Sequence, residues 1–486
     1  MRDYRTPAPV DKRRAAPRHP SNGQASAPQP VAPRRPAPPW LLPVVLVVLV
    51  MGVVALALVL ARPPKPRAAP PANEPATPSP VPPSFVRTLP TNALVAPLLT
   101  QVDEARIGRT VEQLAAFGTR HTNAFDQGAS RGIDAARRWV SDTLRQYSSE
   151  AGNVLEVRDV PFSATVAGVR STQHNVLAML TGKNPARRFI ISAHLDTRGD
   201  PRSTQNAAPE APGANDDASG VALVLEVARL LSQHVARTGQ LLDATLVFAI
   251  FSAEEQDRQG SINYVGRLEA NLSIEGVFSF DVIGGISGDT GALNAGGIRL
   301  FSPDHGPSRQ LSRYAKLLVE HYLPSYRFSL LPFLDRADRY SDHVSFYQQG
   351  YPVGRFTELN ENAKLQHTPQ DLPSSVSAAN VAQLTKATVV ILLNYATAPG
   401  RPAPPRAFAT GQELRLLWSP VPGASHYLLA AREASSTAIT DFTLINGETQ
   451  LSLPLPQGEY FLSLAALNDS GAVSLLSEEV ALGRQQ

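Results

Sequence analysis

The sequence predicts an α/β domain with a mostly parallel mixed sheet flanked by helices, set between one transmembrane helix and a small C-terminal all-β sandwich. Three observations predict it. Short apolar runs alternate with helix-spaced stretches across residues 89–399, as they do when a sheet is covered by helices on both faces. An uncharged stretch, Leu41–Ala61, separates two basic, proline-rich segments. From residue 400 onward the runs are short, alternate apolar with polar, and are punctuated by Gly, Pro, Asn and Asp, the pattern of a sandwich.

A chain of 486 residues has room for about two to four domains. It contains no Cys, which excludes disulfides, thiolate metal sites and a cysteine nucleophile; any metal must be held by His, Asp and Glu. The formal charge of +3 is unevenly distributed. Residues 1–39 carry eight basic and two acidic side chains, a balance of +6, and residues 62–84 carry three and one, a balance of +2. Removing that +8 from +3 leaves −5 from Phe85 onward, so the overall basicity does not point to nucleic acid, and none is expected as a partner.

Taken in chain order, residues 1–39 read as a basic, Pro-rich cytoplasmic tail, 40–61 as a transmembrane anchor and 62–88 as a Pro-rich linker. The 21 residues Leu41–Ala61 reach about 31 Å as a helix, enough for a bilayer core. The excess of basic residues before this stretch places the N-terminus inside and everything after Ala61 outside. Signal cleavage near Ala61, giving a secreted protein, is the competing reading; either way the C-terminal bulk is exported. Leu98–Phe117 and Gly128–Tyr147 show helical spacing of apolar positions. Strands are expected at Asn175–Leu180, Phe189–Ala193, Thr245–Phe251, Gly276–Phe280 and Val353–Phe356, with helices at Val221–Leu231, Pro307–Tyr322 and Val376–Tyr395.

In such sheets ligands bind beyond the carboxyl ends of the strands. Three expected strands run directly into His194 and Asp196, into Glu254 and Glu255, and into Asp281. Asp216 and Asp217 lie in the loop before a helix, and His367 lies in the loop before the last one. Each has an ordinary structural reading as a local pair, a helix start or an N-cap. Together they stand at the ends of apolar strands with no Lys or Arg beside most of them in sequence, and buried charges are costly unless paired or metal-bound. Two His and several carboxylates without Cys suit zinc, with cobalt or manganese open on ligand type. With two adjacent Glu, one can ligate while the other serves as a base, which is the arrangement for metal-assisted hydrolysis of an amide bond.

The segments AHLDT, GANDDASG, SAEEQ, SFDVIG, SDHVSF and QHTPQD resemble, in order and spacing, those of the dizinc aminopeptidases, the family that includes aminopeptidase Y, secreted bacterial leucine aminopeptidases and glutamate carboxypeptidase. The resemblance covers about Leu89–Ala398 and implies a phosphorylase/hydrolase-like fold holding two Zn2+ per chain. It implies that Asp216 bridges the ions, that His194 and Asp281 complete one site, and that Glu255 and His367 complete the other. Glu254 would be the general base, Asp196 would orient His194, and the Asp216–Asp217 peptide would be cis. Two departures stand out: Asp257-Arg258-Gln259 follow the Glu pair where relatives are Gly-rich and apolar, and Gln366 stands where many relatives place an oxyanion-binding Tyr, a role open to Tyr340 or another donor. Asp342 and His343 are expected to be structural.

The C-terminal region, 400–486, resembles a fibronectin type III domain, with Trp418 and Tyr460 as core residues and no catalytic constellation. It is available as a spacer, a protein- or surface-binding module, or a neighbour of the active site. The expected activity is that of a membrane-anchored, extracytoplasmic aminopeptidase acting on peptide or protein N-termini. A carboxypeptidase, which would hold its substrate's carboxylate with residues such as Arg336 and Arg339, is an alternative, as are a glutaminyl cyclase and a non-catalytic receptor-like ectodomain.

Overall fold

The computed structural model describes residues 88–125, 128, 130–199, 210–337 and 339–482. The segments expected to be a cytoplasmic tail and a transmembrane anchor, and nearly all of the expected linker, therefore lie outside the described residues. Among the described residues, no helix is long and apolar enough to cross a membrane.

Helices α1 (Val95–Leu99), α2 (Glu104–Ala116) and α3 (Gly132–Glu150) come first. The single helix expected from Leu98 to Phe117 is divided because the Asp103 side chain caps α2, accepting from the Arg106 N–H. Strands β1 (Leu155–Val166) and β2 (Val169–Leu180) form a hairpin whose two turn residues, Ala167 and Gly168, both have positive φ. Next come β3 (Asn184–His194), α4 (Ala218–Thr238), β4 (Ala244–Phe251), α5 (Gln259–Val265), β5 (Ser273–Phe280), β6 (Gly297–Phe301), α6 (Gly306–Tyr322), β7 (Arg327–Leu331), α7 (His343–Tyr347), β8 (Val353–Thr357) and α8 (Ala378–Thr397).

The eight strands make one sheet in the order β1-β2-β4-β3-β5-β8-β6-β7. Its centre, β4-β3-β5-β8, is parallel, while β1 with β2, β2 with β4, and β8 with β6 are antiparallel. The sheet is thus mixed, as expected, but β1, β6 and β7 have no counterpart among the expected strands. β1 alternates polar and apolar residues and contains Pro161, as an edge strand tolerates, and β6 and β7 are five residues each.

Period-two alternation along the central strands decides the layering. Leu246, Phe248 and Ile250 of β4 and Phe189, Ile191 and Ala193 of β3 pack in the large core with α2, α3, α4 and α8. The intervening Val247, Ala249, Phe251 and Ile190 face a smaller core with Tyr264 of α5 and Phe346 of α7.

The remaining strands, β9 (Arg406–Thr410), β10 (Glu413–Leu417), β11 (His426–Glu433), β12 (Asp441–Ile445), β13 (Gln450–Pro454), β14 (Tyr460–Leu467) and β15 (Val480–Leu482), form two antiparallel sheets, β13-β10-β9 and β12-β11-β14-β15. Trp418, Tyr427, Leu429, Leu462 and Leu464 lie in the core between them. The opposite face of β11 and β14, with Leu428, Ala430, Ala465 and Leu467, joins the large core of the α/β body. Tyr314 Oη donates to the Val473 carbonyl at 2.9 Å, Gln310 Nε2 to the Ser477 carbonyl at 2.7 Å, and Arg313 and Arg432 share Glu479 at 3.0 and 2.5 Å. The sandwich is therefore packed into the α/β body rather than held off it as a spacer.

Candidate metal centre and active site

The parallel centre of the sheet brings its strand ends together on one side, and the expected residues converge there. His194 is the last residue of β3, Glu254 and Glu255 lie three and four residues past β4, and Asp281 immediately follows β5. Asp216 is held in the loop before α4, and His367 in the loop between β8 and α8, with φ at +58°. His194 Nε2 lies 3.2 Å from Asp216 Oδ1 and 3.7 Å from Asp281 Oδ1. His367 Nε2 lies 3.1 Å from Asp216 Oδ2 and 3.3 Å from Glu255 Oε1. Asp216 thus offers its two oxygens to two separate groups, His194–Asp216–Asp281 and Asp216–Glu255–His367, in each of which the donor atoms lie within 4.8 Å of one another.

These residues fit divalent cations. All donors are N or O, and Glu255 Oε1 is buried without a hydrogen-bond partner. The His194 ring is set for the purpose: its Nδ1 lies 3.0 Å from the Asp196 carbonyl, which fixes that nitrogen as an N–H and turns Nε2 toward the carboxylates of Asp216 and Asp281. Burial pushes the Glu254 carboxyl well above its ordinary range, and the charges of Asp281, Asp342 and Glu255 push it further up. Burial acts on Asp216 in the same direction, but hydrogen bonds from His194 and His367 outweigh it and hold that carboxyl well below the usual range.

Behind these side chains, three buried carboxylates each chelate two backbone N–H groups and so lock the loops to one another. Asp196 accepts from Glu254 N at 2.9 Å and Glu255 N at 3.1 Å. Asp217 accepts from His194 N at 3.1 Å and Gly220 N at 3.0 Å. Asp371 accepts from Asn215 N at 2.9 Å and Asp216 N at 3.0 Å. Asp196 meets the His194 ring through its carbonyl, while its carboxylate holds the glutamate pair. The Asp216–Asp217 peptide is cis, as expected.

Sequence reasoning missed several participants. Arg198 Nε lies 2.8 Å from Glu255 Oε2 and Arg355 Nη2 lies 3.1 Å from Asp281 Oδ2, so two of the carboxylates do have cations beside them. Arg355 had a visible signal, a charge inside the short, fully buried strand β8. Arg120 is fully buried and donates to the carbonyls of Leu195 and Gly213, tying two of the site's loops together from a segment that had no catalytic look. His343 is structural, as expected: Nε2 lies 3.1 Å from the Leu334 carbonyl, and burial pushes the ring down to about 4.

A cleft of about 70 Å3 opens onto the cluster, lined by the five candidate ligands, Glu254, Val282, Gln366, Tyr340 and three arginines. Gln366 Oε1 accepts from Arg339, and Tyr340, 45 % exposed, lies with its ring 6.0 Å from the Arg258 guanidinium. A larger cavity of about 570 Å3 lies in the sandwich, but its lining residues, such as Ala407, Leu414, Pro456 and Leu482, offer no side chain for catalysis.

Comparison with known proteins agrees with this arrangement. Residues 175–392 match peptidase family M28. A probable zinc metalloprotease from Pyricularia oryzae is 32 % identical over 374 residues, covering 69 % of this chain and 73 % of that protein. One from Pyrenophora tritici-repentis is 29 % identical over 426 residues, covering 79 % and 86 %. The fold is similar to that of the Legionella pneumophila LapA aminopeptidase, with a TM-score of 0.51 and 21 % identity over 64 % of this chain and 77 % of that one. With its strand-end cluster of histidines and carboxylates and this kinship, the chain belongs to peptidase family M28 and is a zinc-dependent peptide hydrolase.

Proposed function

We propose that this protein is a two-zinc aminopeptidase, anchored by Leu41–Ala61 with its catalytic domain on the outer side of the membrane. The observation that carries the reading is the placement of Asp216, whose two oxygens face two separate His-and-carboxylate groups. Bound zinc would supply Lewis-acid activation of water and of the scissile carbonyl. His194, Asp216 and Asp281 would hold one ion, and Asp216, Glu255 and His367 the other. Glu254 is the general base: its buried carboxylate takes the proton from the attacking water and passes it to the departing amine as the C–N bond breaks. Its environment favours the protonated form once the proton has arrived, which suits a group that must both take and return it. Tyr340, at the cleft mouth, is the hydroxyl available to the tetrahedral oxyanion in place of a tyrosine at the position of Gln366.

Release of N-terminal rather than C-terminal residues is supported by the arginines. Arg336 and Arg339, the candidates for holding a substrate carboxylate, both point at Glu361, as does Arg299. The cleft carboxylates suit the ammonium group of a peptide N-terminus. For the C-terminal sandwich, a fibronectin type III-like identity with a surface open to protein contact is part of the same reading. The test is zinc analysis of the purified protein together with an assay on peptides with free, blocked and Gln N-termini. Two zinc ions per chain and cleavage only of free N-termini are expected. Cleavage of blocked peptides from the C-terminus, cyclisation of the Gln peptide, or no turnover at all would each replace the proposal with a specific competitor.

A further inference from the structure

The two carboxylates that complete the metal groups share an arrangement that Asp216 lacks. Asp281 turns Oδ1 toward His194 Nε2 at 3.7 Å, while its Oδ2 is 3.1 Å from Arg355 Nη2. Glu255 turns Oε1 toward His367 Nε2 at 3.3 Å, while its Oε2 is 2.8 Å from Arg198 Nε. Each has one oxygen facing the cluster and the other facing a guanidinium. The two arginines come from unrelated parts of the chain. Arg198 lies in the loop four residues past His194, and Arg355 lies in the middle of β8, where Asp335 fixes it at 2.6 Å. No single turn or helix end imposes the pattern twice. Asp216, by contrast, has both oxygens directed at histidines, at 3.2 and 3.1 Å.

We propose that Arg198 and Arg355 are positioning residues that restrict Glu255 and Asp281 to one donor oxygen each, leaving Asp216 as the one carboxylate that ligates through both. The inference rests on the two-metal reading. A carboxylate can close on a cation through one oxygen or two, and the second oxygen fills a coordination position. Hydrolytic sites need such positions open for water and substrate. The guanidinium charge beside the outer oxygen competes directly with that closure. The guanidinium groups also add fixed positive charge beside a ligand set that holds three carboxylates, which strengthens the pull on a substrate carbonyl.

Arg355 also ties Asp335 within the core, so its removal threatens folding; Arg198, with a side chain 20 % exposed, is the cleaner perturbation. The experiment loads the full chain with Co2+ and compares the parent with Arg198→Met and Arg198→Lys by metal titration, visible absorption, and separate kcat and KM. The expected Arg198→Met protein still takes two cobalt ions, shows weaker visible absorption as coordination number rises, and loses about 10–100-fold in kcat with little change in KM. Arg198→Lys recovers part of both signals. An Arg198→Met protein with the parental spectrum and kcat overturns the proposal, as does one that loses the metal outright. A parent protein that takes up no cobalt or zinc would instead overturn the two-metal reading on which it rests.

Discussion

Asp371 offers a test of how the site is held together, because its carboxylate restrains the backbone of Asp216 from the segment that follows His367. Its two oxygens accept from Asn215 N at 2.9 Å and Asp216 N at 3.0 Å, and it is 2 % exposed. Asp371→Ala leaves two buried N–H groups without their acceptor, at about 1–3 kcal/mol each. Part of that loss is offset, since the variant no longer buries a carboxylate. The cost of that burial shows in the wild-type carboxyl, which desolvation pushes up to about 7. The net expectation is a loss of about 2 kcal/mol, a large part of a total of about 5–15. The assay is urea unfolding at pH 8, where the carboxyl is ionised, on zinc-loaded and zinc-free protein. Zinc affinity should fall by about 10–100-fold as Asp216 loses its fixed backbone. A stability change below about 0.5 kcal/mol with unchanged zinc affinity would refute the reasoning, since that is what a surface substitution does.

Four further outcomes are expected. Glu254→Gln should keep two zinc ions per chain and lose about 10²–10⁴-fold in turnover; near-normal activity would remove it as the base. Asp216→Ala should lose both ions and activity together in a metal analysis, and retention of both would sink the bridging role. His343, lowered from 6.5 to about 4 by burial, stabilises the fold while neutral; that contribution is full above about pH 6.5 and is lost as pH falls toward 4. Denaturation profiles should therefore slope by on the order of 1.4 kcal/mol per pH unit from this group across that window, and His343→Gln should flatten the slope. Ending the chain at residue 400 should give insoluble protein, because Leu428, Ala430, Ala465 and Leu467 complete the large core; a soluble, active truncation would show the sandwich to be dispensable.

Much of the site was legible because its residues break local rules. A histidine, two glutamates and an aspartate directly after apolar strands are conspicuous, and the α/β alternation alone says that such strand ends meet. His194, Glu254, Glu255 and Asp281 stand out this way, the resemblance to the dizinc aminopeptidases adds Asp216 and His367, and the structure brings the five ligand candidates to the distances given above. The less legible residues obey ordinary local patterns. Asp371 looks like one more polar loop residue, and Arg120 sits in a loop with no strand ahead of it. What they do depends on partners 75 to 156 positions away, as with Leu195 for Arg120 and Asn215 for Asp371, and periodicity carries no information at that range. The edge strands were missed for a related reason: β1 is half polar because one face meets solvent, so its apolar content is too low to stand out.

By itself, then, the sequence determined the class of chemistry, through the absence of Cys and the presence of His and carboxylates at strand ends, and it determined the layered α/β architecture through hydrophobic period. Only the tertiary structure decided which oxygen of each carboxylate faces inward, because that depends on where Arg198 and Arg355 arrive from distant segments. It also decided that the C-terminal sandwich shares its core with the catalytic body, because β11 and β14 are apolar on both faces and only packing shows what covers the second one.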